Sequence, residues 1–348
     1  MAVSPSDSAA VGPDPALPDV LAHFGISLGS WEVLGPLVAG TGRHRGFRVR
    51  AEGREWAVKS HTSAATVEGL AATHALELRL TDNGFPAAPL RRTQYGETLV
   101  REGSTWYSLH GWVEGQQISI ADRDATIGDH PDLVGDLARL IAALHQTSGT
   151  LAGDTDAVDP DLLLELPRDL LREIRRPRRR LLSRWQALRL KPGKTEFDRW
   201  ILHVVPELAE RAARLSRQSV TPGVGGSDIV LIHNDVNWEN LIFDERFRVR
   251  ALLDFDNAVP APRALEVGAC AVVLVGADPA RVESFVSAYE AAFGAPLDRE
   301  LVRLAMELKC VRSVLASVMT HLGHGTDSAR LRTWSHHLYE SLGALPPR

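Results

Sequence analysis

The chain has 348 residues, 44% hydrophobic and 24% charged, with a formal net charge of −5, a balance that excludes a disordered or fibrous protein and leaves room for two lobes. Its two cysteines, Cys270 and Cys310, show no CxxC spacing, which excludes a disulfide framework and a cysteine-based zinc site and points to a reducing compartment. The N-terminus lacks a basic, apolar leader, and the longest apolar run, 267–277, falls short of the roughly 20 residues of a membrane span, so a cytoplasmic protein is expected.

In chain order, residues 1–18 read as a disordered tail. From Trp31 to Ser60, short apolar–polar alternations broken by glycine, "WEVLGPLVAG", "GFRVRAEG" and "REWAVKSH", predict a three-stranded antiparallel meander. The segment 64–82 places Val67, Leu70, Ala71, Leu76, Leu78 and Leu80 at helical spacing and closes on Asn83-Gly84 and Pro86, the signature of a helix and its stop. Short strands return through "LVREGSTWYSLHGWV". From about Pro131 the period is mostly helical, apart from short strands around 229–255. The expected fold class is therefore α+β and bilobal: a small β-rich N-lobe at 19–109, a hinge at 110–115 and a larger helical C-lobe at 116–348.

One segment departs from the overall charge. Residues 161–200 carry 12 Lys or Arg against 6 Asp or Glu, centred on Arg178, Arg179 and Arg180. Such runs are commonly solvated helix faces; the second reading is a docking surface for an anionic partner. Nucleic acid is not expected, because no aromatic stacking pattern or binding motif accompanies the arginines.

The densest chemistry lies in "LIHNDVNWENLIFDERFRVRALLDFDNA", 231–258. Moving a phosphoryl group from ATP to a hydroxyl needs a carboxylate for the acceptor proton and hard oxygen ligands for Mg²⁺. His233-x-Asp235-x₄-Asn240 has the spacing of a catalytic loop in which the Asp is the base and the Asn reaches the metal. Asp254, at the end of the apolar "ALLDFD" run, would be the second metal ligand. Taken singly, Asp235, Asn240, Asp254 and Asn257 are ordinary turn and cap residues; their joint spacing is what argues for chemistry.

This segment resembles the Brenner-type motif of the aminoglycoside phosphotransferase and choline kinase superfamily, enzymes of protein-kinase-like fold that act mostly on small molecules. The resemblance runs from about Trp31 to the C-terminus. It implies that Asp235 is the catalytic base, that Asn240 and Asp254 hold Mg²⁺, that His233 is a structural member of the loop, and that Asp256 is an adjunct acid. Two departures accompany it: Asn234 stands where the family usually has Gly, which implies either a polar neighbour to the acceptor hydroxyl or only a tolerated backbone position, and Glu266 stands where it usually has Asp, where it is expected to brace the loop.

Such a loop implies an upstream nucleotide site. "AGTGRHRGF", 39–47, offers Gly40, Gly42 and Gly46 as a phosphate-covering loop, although glycines here also suit hairpin turns. Lys59 in "EWAVKSH" resembles the strand lysine that contacts the α- and β-phosphates. Its glutamate partner in the family lies where this chain has Thr73, which leaves Glu77, one helical turn on, as the candidate. Main chain near 109–113, at Gly111 and Trp112, is expected to meet the adenine edge. Trp238, inside the loop, is a candidate for acceptor contact.

Two further motifs carry no function. Gly193-Lys194-Thr195 lacks the first glycine and leading strand of a P-loop. His321, His324, His336 and His337 fall in helical surroundings without a carboxylate at ligand spacing and read as packing or surface residues. The expected activity is transfer of the ATP γ-phosphate to a hydroxyl-bearing small molecule. The arginine-rich insert argues for a neutral, zwitterionic or anionic alcohol over a polycationic aminoglycoside. A peptide Ser/Thr kinase, or a pseudokinase serving as a binding scaffold, is the alternative.

Overall fold

A computed structural model describes residues 14–27, 29–37, 44–61, 67–152, 181–215 and 228–345. In chain order the elements are α1 (Leu17–His23), β1 (Trp31–Pro36), β2 (His44–Ala51), β3 (Arg54–His61), α2 (Val67–Asp82), β4 (Val100–Glu102) and β5 (Thr105–Gly111). They continue with α3 (Arg123–Asp129), α4 (Leu133–Ala152), α5 (181–190), α6 (Glu196–Leu215), β6 (Ile229–Ile232), β7 (Leu241–Phe243), β8 (Val249–Leu252) and β9 (Val259–Pro262). The chain ends in α7 (Arg263–Cys270), a π-helical turn at Ala271–Val275, α8 (Pro279–Phe293), α9 (Arg299–His324) and α10 (Ala329–Ala344). Two compact units result, Met1–Gly115 with Arg250–Asp256, and Gln116–Val249 with Asn257–Arg348.

The first unit is built on an antiparallel sheet of order β1-β2-β3-β5-β4. Its first three strands form the expected meander. The β2–β3 turn is two residues, Glu52 and Gly53, both with positive φ (53° and 71°), the geometry that matches the right-handed twist of the flanking strands. Period-2 alternation then sorts the side chains. Phe47, Val49, Val58 and Leu109 are buried with Leu17, Val20, Leu21, Phe24 and Ile26 of the α1 region. Leu17 thus opens a buried helix inside the segment read as a tail, because Pro18 at the first turn and the Leu17, Val20, Leu21 spacing suit an amphipathic turn. Lys59 and His61 project from the opposite sheet face, and the register Ala57↔His110 and Lys59↔Ser108 puts Ser108 and His110 beside them. The distant piece Arg250–Asp256 joins through Leu252, whose N–H donates to Pro86 O at 2.8 Å and which bridges Ala87 in parallel.

The second unit is mainly helical. β6 pairs antiparallel with β9, and Gln116 exchanges two 2.9 Å backbone hydrogen bonds with Phe243 of β7. α7 and α9 cross at Gly268, where an added Cβ would meet Val302 O and, at 2.7 Å, Ala305 Cβ. The "GKT" run follows α5 and precedes α6, with no strand leading in. Thr195 caps α6: its N–H donates to Asp198 Oδ2 at 2.9 Å, and its Oγ1 accepts from Asp198 N at 3.1 Å. Asp198, fully buried, also accepts from Lys191 Nζ at 2.6 Å and lies 2.8 Å from His321 Nε2. His321 therefore has a carboxylate partner, supplied by a distant helix rather than by local spacing. Both cysteines are free and buried. Among the described residues no helix is long and apolar enough to cross a membrane.

Candidate active site

In the second unit, the apolar β6 strand ends at Ile232 and releases the loop 233–237. Asn237 Oδ1 accepts from Glu239 N and Asn240 N at 2.9 and 3.2 Å, capping the single turn Trp238–Asn240 that returns the chain to β7. Asn240 Nδ2 donates to Asp235 O at 2.9 Å, which commits its amide nitrogen to the loop and leaves Oδ1 as the atom suited to a cation. Asp235 N donates to His233 Nδ1 at 3.2 Å, so the His233 ring proton sits on Nε2.

The loop is held from beneath by Glu266 of α7. Its Oε2 accepts from His233 N at 3.0 Å and its Oε1 from Asn234 N at 2.6 Å. His145 Nε2 lies 2.8 Å from Oε2, and His145 Nδ1 lies 2.7 Å from the Tyr289 hydroxyl. Burial by itself would raise the Glu266 carboxyl, but the His145 hydrogen bond and charge and the His233 amide hold it below the ordinary value. The bracing role expected of Glu266 is thus present in hydrogen bonds. Asn234 has φ +65°, a left-handed conformation that costs Asn less than most side chains and glycine nothing, which explains the family's usual Gly there.

Two residues of the second unit change the reading of the loop's surroundings. Trp238 is fully buried and packs on Phe243 with ring centroids 5.7 Å apart; it supports the loop and is out of reach of an acceptor. Lys309, on α9, places Nζ 3.7 Å from Asp235 Oδ1, and with Arg312, Asn234 and Val236 it lines an apolar-floored cleft. No local pattern announces Lys309, because it comes from a helix far along the chain.

In the first unit, Lys59 Nζ donates to Asp254 Oδ1 at 3.0 Å. Burial alone would lower the ammonium's pKa, but Asp256, Asp254 and Glu77 together raise it above its ordinary value. Asp254 itself is in the left-handed region, φ +69°. Glu77 projects from α2 into the same polar layer, where its Oε2 lies 3.4 Å from His110 Nδ1, and the Lys59 hydrogen bond goes to Asp254. Burial pushes the Glu77 carboxyl up to about 7. Asp256 Oδ2 lies 3.4 Å from His61 Nδ1. Burial pushes His74 down to about 4 and His110 to about 3. This histidine layer was not anticipated as a set, although strand alternation carries His61 onto the Lys59 face.

Gly46 sits within β2 opposite Lys59, where an added Cβ would meet Leu37 Cδ1 at 2.6 Å and Val58 O at 2.7 Å; close packing accounts for this glycine. Gly40, Gly42, Arg178, Arg179 and Arg180 lie outside the described residues. Gly111 N donates to Pro89 O at 2.6 Å and Trp112 N to Glu55 O at 2.9 Å, so these two amides are already committed within the protein. The Trp112 ring lies under the Arg48 guanidinium, 4.1 Å from its centroid.

Residues 37–304 match the phosphotransferase enzyme family. No curated protein matches the chain. Among solved structures, an aminoglycoside phosphotransferase from Alicyclobacillus acidocaldarius subsp. acidocaldarius DSM 446 is 19% identical, with 97% of this chain and 96% of that one covered and a TM-score of 0.61. A spectinomycin phosphotransferase in complex with ADP and spectinomycin is 12% identical, with 96% and 99% covered and a TM-score of 0.64. A microcompartment-associated aminopropanol kinase is 14% identical, with 94% of each chain covered and a TM-score of 0.57. At these identities the likeness shows the fold, the protein-kinase-like arrangement expected from the motif.

Proposed function

The chain belongs to the phosphotransferase enzyme family, and on that premise we propose that it transfers the γ-phosphate of ATP to the hydroxyl of a small acceptor carrying an anionic or zwitterionic group. The observation that carries the reading is the loop geometry, in which Asn240 Nδ2 ties to Asp235 O at 2.9 Å and Glu266 fixes the two preceding amides. A carboxylate carried on backbone held this firmly, and itself 39% exposed, suits a general base more than a turn former.

In this reading Asp235 accepts the acceptor's proton as the new O–P bond forms and the bond to the β-phosphate oxygen breaks, releasing ADP. Lys59 contacts the nucleotide phosphates, and its Asp254 hydrogen bond sets the ammonium's position. Asn240 Oδ1 and Asp254 are the side chains assigned to magnesium, which fits an all-oxygen donor set. When bound, the ion supplies charge neutralisation of the transferring phosphate. Val113 is assigned to the adenine edge. Lys309 and Arg312, in the cleft beside Asp235, favour an acceptor with a carboxylate or phosphate and disfavour a polycation such as an aminoglycoside. The arginine-rich insert argues in the same direction by charge.

The test is a γ-phosphate transfer screen with Mg-ATP across hydroxy acids, amino alcohols, sugar derivatives, aminoglycosides and Ser/Thr peptides, with Asp235→Asn as control. Transfer to a small anionic or zwitterionic alcohol that Asp235→Asn abolishes is expected. Preferred transfer to aminoglycosides would overturn the acceptor class, and tight partner binding without any nucleotide turnover would favour a scaffold.

A further inference from the structure

The polar layer on the Lys59 face of the sheet contains a group of buried acceptor atoms that make no hydrogen bond; His61 Nδ1 lies 3.4 Å from one of them, Asp256 Oδ2. His74 Nδ1 lies 2.9 Å from Thr98 Oγ1; with its proton given to that hydroxyl, Nε2 presents a lone pair to the interior. His74 Nε2, Glu77 Oε1 and both carboxylate oxygens of Asp256 are buried and make no hydrogen bond. One ligand atom from each of these three residues lies within 4.8 Å of the other two, and no other such group of His, Cys, Asp or Glu occurs among the described residues. His74 is fully buried and Glu77 is 2% exposed, so water cannot readily repay the missing bonds.

Charge points the same way. Asp254, Asp256 and Glu77 carry three formal negative charges, and Lys59, hydrogen-bonded to Asp254, supplies one positive charge. A divalent cation offsets this surplus of negative charge and gives a partner to three of the four orphaned acceptors, one from each residue.

We propose that His74 Nε2, Glu77 Oε1 and an Asp256 carboxylate oxygen form a buried binding site for a zinc-class divalent cation in the first unit, separate from the magnesium assigned to phosphoryl transfer. The donor set explains the class: one imidazole nitrogen with two carboxylates suits Zn²⁺ and its borderline neighbours better than magnesium, which takes oxygen ligands. His74 and Glu77 are three residues apart on α2 and so share a helix face, while Asp256 arrives on the distant piece of chain. Zinc lies about 2.0 to 2.2 Å from its nitrogen and oxygen ligands, so the three ligand atoms, now within 4.8 Å of one another, would have to draw closer on binding. The Nδ1 contact to Thr98 is the kind of second hydrogen bond that fixes the tautomer of a metal-bound histidine. Such an ion fastens α2 to the segment that carries Asp254, and it keeps Glu77 from Lys59.

The experiment strips the full-length protein with a chelator, titrates it with zinc chloride, removes unbound ion by gel filtration and counts retained metal by mass spectrometry. One zinc per chain and a raised Tm are expected, with retention lost in His74→Gln and Glu77→Gln and kept in Asp235→Asn. Cobalt(II) loaded into the unmodified protein, a measurement that no folding defect can spoil, should give visible d–d bands of a low-coordinate site with nitrogen ligation. Absence of retained zinc, of a Tm shift and of those bands would overturn the site and leave the layer held by protons. Equal retention in His74→Gln and Glu77→Gln would move the metal elsewhere and overturn it equally. Metal content is read without phosphoryl transfer, so the outcome stands apart from that of the acceptor screen.

Discussion

Asp235 and Asn234 are adjacent and have opposite requirements. Asp235 needs its chemistry: as the general base of the proposed transfer it would contribute roughly 10² to 10⁴-fold, so Asp235→Asn should lower kcat by that factor while nucleotide affinity, measured by calorimetry, stays within a few-fold. Asn234 needs its backbone. At φ +65°, Asn234→Gly should leave Tm unchanged or higher, whereas Asn234→Ala should cost about 1 kcal/mol in chemical denaturation. Asp198 shows a third dependence, on pH. Burial would raise its carboxyl, but Lys191, His321 and the Thr195 amide bring it below the ordinary carboxylate range. A lowered folded-state pKa contributes stability that is complete above the unfolded value near 3.8 and is lost as pH falls through the folded value. Asp198→Asn should therefore cost roughly 3 kcal/mol at pH 7, and the gap to the parent should narrow in urea melts carried out below about pH 4.

At the scale of elements, the α7–α9 crossing is the most exacting contact. Gly268 admits α9 to within the space a methyl would fill, so Gly268→Val should cost on the order of 1 to 3 kcal/mol by overpacking, read as a lower urea midpoint at unchanged m. Legibility follows from where an element's information resides. The β1–β3 meander and α2 were readable because alternation and 3.6-residue spacing are local. His233, Asp235 and Asn240 were readable because one short loop carries all three. α1 was hidden in a Pro- and Asp-rich segment whose composition outweighed one amphipathic turn. Lys309 lies 74 residues beyond Asp235, and His145 and Glu266 stand on helices 121 residues apart, and no spacing rule spans either gap. The pairing of Lys59 was misdirected by the family's usual helix glutamate: here the carboxylate of Asp254 is nearer, and Glu77 turns toward His110 and His74.

At the scale of the molecule, charge is unevenly placed. The chain is −5 overall while residues 161–200 are +6 by their 12 basic and 6 acidic side chains. If the insert concentrates an anionic acceptor, changing Arg178, Arg179 and Arg180 to Glu should raise the acceptor KM about tenfold or more at low ionic strength, with the ATP KM unmoved and the difference shrinking as salt is added. An unmoved acceptor KM would confine the insert to solvation. The first unit, meanwhile, is assembled from two stretches of chain separated by more than a hundred residues: Leu252 docks on Pro86 and Ala87, and Asp254 reaches Lys59. On the ribosome, therefore, the N-terminal sheet emerges long before its last segment has been translated, and it must wait with that seam open. A nascent chain halted before residue 250 should be far more sensitive to protease in its N-terminal half than one released beyond 256, which makes the timing of synthesis part of how this protein reaches its working form.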